Sequence, residues 1–377
     1  MTKNVTNGQA GLILALFSVA LKLSVLPAMF NDYASNNSYV ACLFALIIDF
    51  VLCLIVITII IKIPNKTFFE LISDVFSKPI AIILNAILMG YFIIKSLIAL
   101  LELHDYYIAS LFEELNPLFF IISFLFLLLW LFGKSFRNLG RSLQIFFWPM
   151  AIGLLFTLIF PISDIQLTNL LPLFQNGMYQ IFNSIFHTAF AFDDYIILLL
   201  LMGRIKVDKN TRKTLLTYLL SIFFFVFSFY VVFVGSFGNT AVNQSLALNE
   251  LPLHNPFSTA LGRLEWLTII IWTAILLLQS AVLGKCSCSC FDSIFNSYDK
   301  KVSPPVIVGI LGIGIFFTYL KLYDVIKFVT STPFNIALIS FHGVLITILI
   351  ISAITTHNKT NHKGAYNEKH VEKVVSQ

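Results

Sequence analysis

Ten mostly apolar stretches, each close to the length of a membrane span, follow one another along this chain and decide what it can fold into. A helix needs about 20 such residues to cross the hydrocarbon core of a bilayer. The stretches run approximately from Gly11 to Met29, Tyr39 to Ile61, Pro79 to Leu101, Asn116 to Gly133 and Leu143 to Phe160. They continue from Gln175 to Met202, Leu215 to Gly238, Ala260 to Leu283, Pro304 to Leu320 and Pro333 to Ile354. Turn chemistry separates them, as at Asn31-Asp32, Pro64-Asn65, Asp208-Lys209-Asn210 and Ser303-Pro304-Pro305. The expected fold is an all-α membrane protein of about ten transmembrane helices, filling residues 1–355. Residues 356–377 are polar and lack apolar periodicity, as a disordered tail does.

Composition supports the same class. The 377 residues are 58% hydrophobic and 11% charged, with a mean hydropathy of +0.89. Soluble domains carry roughly 25% charged residues, so a water-soluble globule of this composition has too few charges to cover itself, whereas lipid solvates an apolar exterior. Lipid is thus one expected partner. Nucleic acid is not, although the net charge is +5, because the basic residues lie in short loops between apolar runs. With the amino terminus in the cytoplasm, nineteen of the 24 Lys and Arg fall in inward segments. Only Lys321 and Lys327 fall outward, and Lys22, Lys95 and Arg263 lie within spans. That asymmetry places both termini in the cytoplasm.

Several functions are not expected. Leu26-Pro27-Ala28-Met29-Phe30 is no small-residue cleavage site, so the first run reads as a membrane helix and not as a removable signal. The five cysteines include a Cys286-Ser287-Cys288-Ser289-Cys290 run, whose spacing is not that of a zinc site. Its juxtamembrane position leaves inert thiols or palmitoylation as readings. No phosphate-binding loop, nucleophile elbow or metal-ligand cluster is present, so neither an enzyme nor a cofactor is expected.

Charges inside spans carry the functional signal, because each costs about 2.5–3.5 kcal/mol on insertion scales. Lys22, Asp49, Lys95, Asp193 and Asp194 lie within spans, with Arg263 and Glu265 near the outer end of the eighth. Pro27 lacks an N–H and clashes with the preceding turn, and Lys22 and Ser24 add polarity there. A break around Lys22 to Leu26 is expected, with an outer half-helix starting near Pro27. An ordinary proline kink is the alternative. Two adjacent aspartates in the long sixth stretch call for a second break, with Asp193 or Asp194 capping the inner half-helix. The alternative there is a shorter helix ending at the aspartates beside Arg204. His187 reads as a satisfied bundle histidine.

The first and sixth stretches hold equivalent places in two sets of five and cross in opposite directions. This is the pattern of a 5+5 inverted repeat with broken first and sixth helices and a midplane site between them. Free N–H groups near Pro27, with Lys22, Ser24, Val25 and Leu26, suit a carboxylate. Open carbonyls along Ala189, Phe190, Ala191 and Phe192, with Asp193 or Asp194, suit an ammonium, so a zwitterionic amino acid matches both ends. Asp49, Lys95 and Glu265 are candidates for ion coupling or charge pairing. Asp49 is a candidate partner for Lys22. Lys95 either faces the cavity or reaches Glu102 and Asp105.

The chain also resembles the spore-germination permease family, the membrane B-subunits of germinant receptors, within the amino acid–polyamine–organocation superfamily. Leu23-Ser24-Val25-Leu26-Pro27 is similar to that family's first-helix segment ending in Leu-Pro, and Ala191-Phe192-Asp193-Asp194 to its Phe-Gly-Glu element. Gly262-Arg263-Leu264-Glu265 with Trp272 is similar to its Arg-x-Glu and downstream Trp, and Leu170-Leu171-Pro172 also fits. Length and span layout match over nearly the whole chain. Two departures stand out: Lys22 lies near the place of the family's first-helix glycine, and Asp193-Asp194 replaces Gly-Glu. The resemblance implies a LeuT-like fold and a pocket for a small germinant, commonly an amino acid. It also implies a large membrane-anchored subunit and a lipoprotein subunit as partners. A proton- or sodium-coupled amino acid transporter is the other reading.

Overall fold

The computed structural model describes residues 5–24, 26–110, 117–174, 177–244, 246–253, 265–295, 301–319 and 324–375. Regular structure among them is helical, apart from one isolated parallel bridge between Val5 and Ile205. The α-helices in chain order are α1 (Asn7–Leu23), α2 (Leu26–Ala34), α3 (Ser38–Lys62), α4 (Phe68–Val75) and α5 (Lys78–Ser110). Next come α6 (Pro117–Phe132), α7 (Phe136–Ile159), α8 (Gly177–His187), α9 (Tyr195–Leu201) and α10 (Thr211–Phe237). The last are α11 (Ala247–Leu253), α12 (Glu265–Phe295), α13 (Ser303–Tyr319), α14 (Val325–Val329) and α15 (Thr332–Val375).

Six described helical stretches are long and apolar enough to cross a membrane: 26–62, 78–108, 136–164, 211–243, 269–295 and 332–356. A seventh is the pair Gly177–His187 and Ala189–Leu201, bent by 53° at its break. Three apolar helices are shorter: Asn7–Leu23, Ile122–Phe132 and Ser303–Tyr319. The ten expected stretches therefore become six or seven by length and composition. The shortfall lies where the first stretch is cut at Leu23 and where α6 and α13 fall short of about 20 residues. The chain is an all-helical, multi-pass integral membrane protein. α15 continues as helix through Val375, across the segment for which sequence suggests a disordered tail.

Local sequence explains the helix ends that matter. Thr6 caps α1 in a reciprocal box: its hydroxyl accepts the Gln9 N–H at 3.3 Å, and the Gln9 side chain accepts the Thr6 N–H at 3.2 Å. Such a cap contributes about 1 kcal/mol. α1 ends at Leu23, and α2 begins at Leu26 with Pro27 in its first turn, where a missing N–H costs nothing. Val25, within the expected break, lies outside the described residues.

Burial sorts the helices. α1 is enclosed by α7, α9, α10 and α12, and buries nearly its whole length. α12 makes its broadest contact with α5. The periphery is apolar and exposed, as at Ile145, Trp148 and Phe126, each more than 60% exposed. That is the surface lipid would cover.

One end of the bundle is fastened by the chain's start. The Val5 N–H donates to the Arg204 carbonyl at 2.8 Å, and the Lys206 N–H donates to the Val5 carbonyl at 3.0 Å. The Asn7 amide donates to Asp208 Oδ1 at 2.9 Å, and the Thr211 hydroxyl donates to Asn7 Oδ1 at 3.1 Å. The start of α1 is thus tied to the segment leaving α9. Gly203 makes the turn there with φ +72°, and a Cβ would come within 2.8 Å of the Lys66 carbonyl oxygen. Only glycine takes that conformation and approach without strain.

Candidate functional site

The two interruptions face each other across the middle of the bundle. Between α8 and α9 the chain makes a tight turn over Ala189–Ala191, then opens at Phe192 and Asp193 before α9 starts at Tyr195. Phe192 meets the first interruption through Phe30 of α2, ring centroids 5.6 Å apart and edge-on. Phe30 in turn packs edge-on against Tyr230 of α10 at 5.5 Å.

Five buried charges lie between them. Lys22 Nζ is 2.7 Å from Asp49 Oδ2 and 2.7 Å from Asp194 Oδ2, and donates to the Ser18 hydroxyl at 3.0 Å. Lys95 pairs with Asp193. Its ammonium also stands 4.5 Å from the centre of the Phe17 ring and 5.0 Å from that of Tyr91. None of the five residues is more than 2% exposed. Such pairs bring three helices and the second interruption together, since an isolated charge there would cost several kcal/mol.

The expected Lys22–Asp49 pair is present, and Lys95 takes neither Glu102 nor Asp105 but Asp193. The capping expectation needs correction. Asp194 occupies the position before α9, yet its side chain makes no capping bond. Asp49 of α3 instead accepts the Asp194 N–H through Oδ1 at 2.9 Å. The reason is competition: two buried ammonium groups draw the Asp193 and Asp194 carboxylates away, and the end of α9 is capped from another helix. The alternative placing both aspartates beside Arg204 does not hold. Arg204 follows α9, where it donates to the Ser289 hydroxyl and stacks on Phe136.

The remaining site residues divide in three. Ser24 and Leu26 flank the first interruption and are buried, and Ala189, Phe190, Ala191 and Phe192 form the second. Glu265 opens α12, away from this cluster in the chain, and its side chain is outside the described residues, as is Arg263. Sequence reasoning missed Ser18, Tyr91, Tyr195 and His342. The Tyr91 hydroxyl donates to the Phe190 carbonyl at 3.0 Å, holding the second interruption to α5. Tyr195 Oη and His342 Nδ1 are 2.9 Å apart, tying α9 to α15. Ser18 and Tyr91 each lie one helical turn before a buried lysine, a signal the sequence carried. His187 is a satisfied bundle histidine: Nδ1 is 2.7 Å from the Thr330 carbonyl and the ring stacks on Tyr33. The Cys286, Cys288 and Cys290 thiols are free and buried within α12.

Polar atoms left bare mark the site further. Buried side-chain atoms without a hydrogen-bond partner occur in several parts of the bundle, and three of them, Ser24 Oγ, Asp193 Oδ2 and Asp194 Oδ1, lie at the two interruptions. Buried polar groups are nearly always paired, so these three are candidates to receive a ligand. A cavity of about 570 Å³ lies alongside, lined by Leu52 of α3, Ile185 of α8, Ala189 and Phe192 of the turn, and His342 and Ile346 of α15. A smaller groove of about 300 Å³ between α1, α7 and α10 carries no charged group. No group of His, Cys, Asp and Glu able to hold a metal occurs among the described residues.

A helical membrane bundle with two facing interrupted helices and buried charges between them defines a permease-type protein. The sequence profile of the family described as spore germination protein matches residues 4–324, and this chain belongs to that family. It is not an enzyme. No curated protein matches the chain. Among solved structures it is similar to a Na+-coupled sialic acid symporter in a substrate-bound, outward-open state, with a TM-score of 0.61. The two are 12% identical, and the match covers 92% of this chain and 78% of that one. At that identity the likeness speaks for the shared transporter fold.

Proposed function

We propose that this spore germination permease binds a small zwitterionic nutrient, an amino acid or close relative, between its two interruptions. The observation that carries the reading is the set of bare buried polar atoms at the two interruptions, Ser24 Oγ, Asp193 Oδ2 and Asp194 Oδ1, together with a cavity of about 570 Å³ that meets the second interruption at Ala189 and Phe192. A ligand ammonium satisfies a bare carboxylate oxygen, and the N–H groups opening α2 receive its carboxylate. The apolar cavity wall takes its side chain.

The membrane arrangement follows the same reading. The three short apolar helices cross along with the seven longer spans, making ten. α1–α2 and α8–α9 are then the broken first and sixth members of a 5+5 inverted repeat. The end carrying Val5, Lys66 and Arg204 faces the cytoplasm with both termini. The protein acts as a receptor subunit: binding favours one arrangement of the half-helices, which a large membrane-anchored subunit and a lipoprotein subunit read. The buried charge set, unusual for a passive receptor, favours a second reading, a proton- or sodium-coupled amino acid transporter.

The test uses purified protein in lipid vesicles with labelled amino acids, with and without imposed proton and sodium gradients. Saturable binding without accumulation supports the receptor, and gradient-dependent accumulation supports the transporter. Asp193→Asn and Asp194→Asn are expected to weaken whichever is seen. Parent-like behaviour of both variants would sink the assigned site.

A further inference from the structure

We propose that the groove between α1, α7 and α10 seats an acyl chain of an anionic phospholipid, whose headgroup is held by Arg141, Arg212 and Lys213. The groove measures about 300 Å³ and has Ala15 and Leu16 of α1, Phe147 and Ala151 of α7, and Tyr218 and Phe225 of α10 among its walls. Small side chains on two helices, Ala15 and Ala151, leave the room. Nearby glycines do not add to it, because the Tyr218 ring packs on Gly11 and Ile271 on Gly153.

The groove is apolar and open to the periphery. No charged side chain lines it, and the Ser221 hydroxyl on its wall donates to the Thr217 carbonyl of its own helix at 2.9 Å. Water would find too few partners there, and apolar cavities stay dry. Leu155 and Ser221 on its rim are exposed, so it faces the surface that lipid would cover. Along α7 its wall runs from Leu143 to Leu154, which is about 16 Å at the rise of an α-helix. One leaflet, half of a hydrocarbon core about 30 Å thick, has nearly that depth. A membrane helix, about 10 Å across, is too wide for this volume, whereas a single acyl chain suits both length and width.

Charge selects the headgroup. The Thr211 hydroxyl at the start of α10 donates to Asn7 at the start of α1, and the Gln9 amide donates to Gln144 Oε1 of α7 at 3.2 Å. The three helices therefore start at one end of the bundle. None has an acidic residue in its first turn. Arg141 stands two residues before Leu143 of the wall, and Arg212 and Lys213 stand less than two turns before Tyr218. All three are exposed, and none forms an ion pair with a described acid. Asp208, just before α10, is already engaged: its Oδ1 accepts from the Asn7 amide, the Asn210 N–H and the Thr211 hydroxyl. Basic side chains between membrane helices at the surface receive anionic headgroups. The wall on α1 ends at Val19, one turn before Lys22, so the bound lipid braces the helix that carries the charge cluster.

Mass spectrometry of solvent extracts reads the lipid retained by purified protein after exchange into detergent holding equal amounts of phosphatidylglycerol and phosphatidylcholine. The parent is expected to retain phosphatidylglycerol about tenfold over phosphatidylcholine. The triple variant Arg141→Gln, Arg212→Gln, Lys213→Gln, altered only on the exposed surface, is expected to lose that preference. Ala151→Phe fills the groove and is expected to lose both lipids. Ile152→Phe, one residue on and 49% exposed, is expected to match the parent. An unchanged helical signal checks folding, and Ala151→Leu is the milder filler should the phenylalanine variant not fold. Equal retention of the two lipids by the parent, or a preference that survives the triple variant, would overturn the headgroup assignment. Parent-like retention by the folded Ala151 variant would overturn the groove as the seat. No nutrient is added, so failure here is separate from failure of the binding site.

Discussion

Lys22 and Lys95 are alike in residue type and burial, and differ in what surrounds them. Lys22 has three oxygen acceptors for its three N–H groups: Ser18, Asp49 and Asp194. Lys95 has one carboxylate and the faces of Phe17 and Tyr91. An ammonium saturated by oxygen in a dry interior is a fixed strut, since any movement exposes a charge. One held by a single carboxylate and aromatic faces gives up less when that carboxylate turns elsewhere. Lys22 also stands 4.9 Å from the centre of the Phe192 ring, so the difference lies in the oxygen acceptors, and Lys22 is expected to hold the two interruptions together more firmly than Lys95 does.

The largest effect is expected from Lys22→Met, which strands two carboxylates. Breaking one buried pair costs about 3–5 kcal/mol, and this variant is expected at or beyond the top of that range in thermal unfolding of detergent-solubilised protein. Lys95→Met is expected to lie lower in the same range, and equal losses would erase the distinction. The double variant Lys95→Met with Asp193→Leu should recover most of that loss, because an apolar pair of similar volume replaces a buried ion pair at little cost. No pairwise change does the same for Lys22, whose removal leaves one of two aspartates unpaired. The smallest effects sharpen the picture. Tyr91→Phe removes one neutral hydroxyl contact and is expected to cost about 1 kcal/mol in the same measurement, and Ser18→Ala, which takes one acceptor from the buried Lys22 ammonium, about 2 kcal/mol. Tyr91→Phe is also expected to loosen the second interruption, seen as faster amide exchange near Phe190.

Sequence made part of this visible. The cut after Leu23 was legible because Pro27, Ser24 and Lys22 place a helix breaker and two polar groups within six residues. The pairing of Lys22 with Asp49 was legible because both fall near the middle of adjacent stretches. Lys95 with Asp193 was not, since 98 residues separate them and Glu102 and Asp105 lie nearer in the chain. The capping role of Asp49 was hidden for a related reason. Local rules assign a cap to the nearest side chain, whereas here distant lysines claim the near aspartates. The contribution of His342 depends on where α15 comes to rest, which no periodicity in this uniformly apolar chain encodes.

The fastening at Val5 and Asn7 sets a mechanical ratio between the two ends of the bundle. Four hydrogen bonds join the start of α1 to the segment after α9. At about 1 kcal/mol each, parting them all would make an arrangement open at that end roughly a thousandfold rarer. The start of α1 and the segment after α9 are therefore held together at this knot, and at the opposite end α2 and α8 can part only by breaking the stack of His187 on Tyr33.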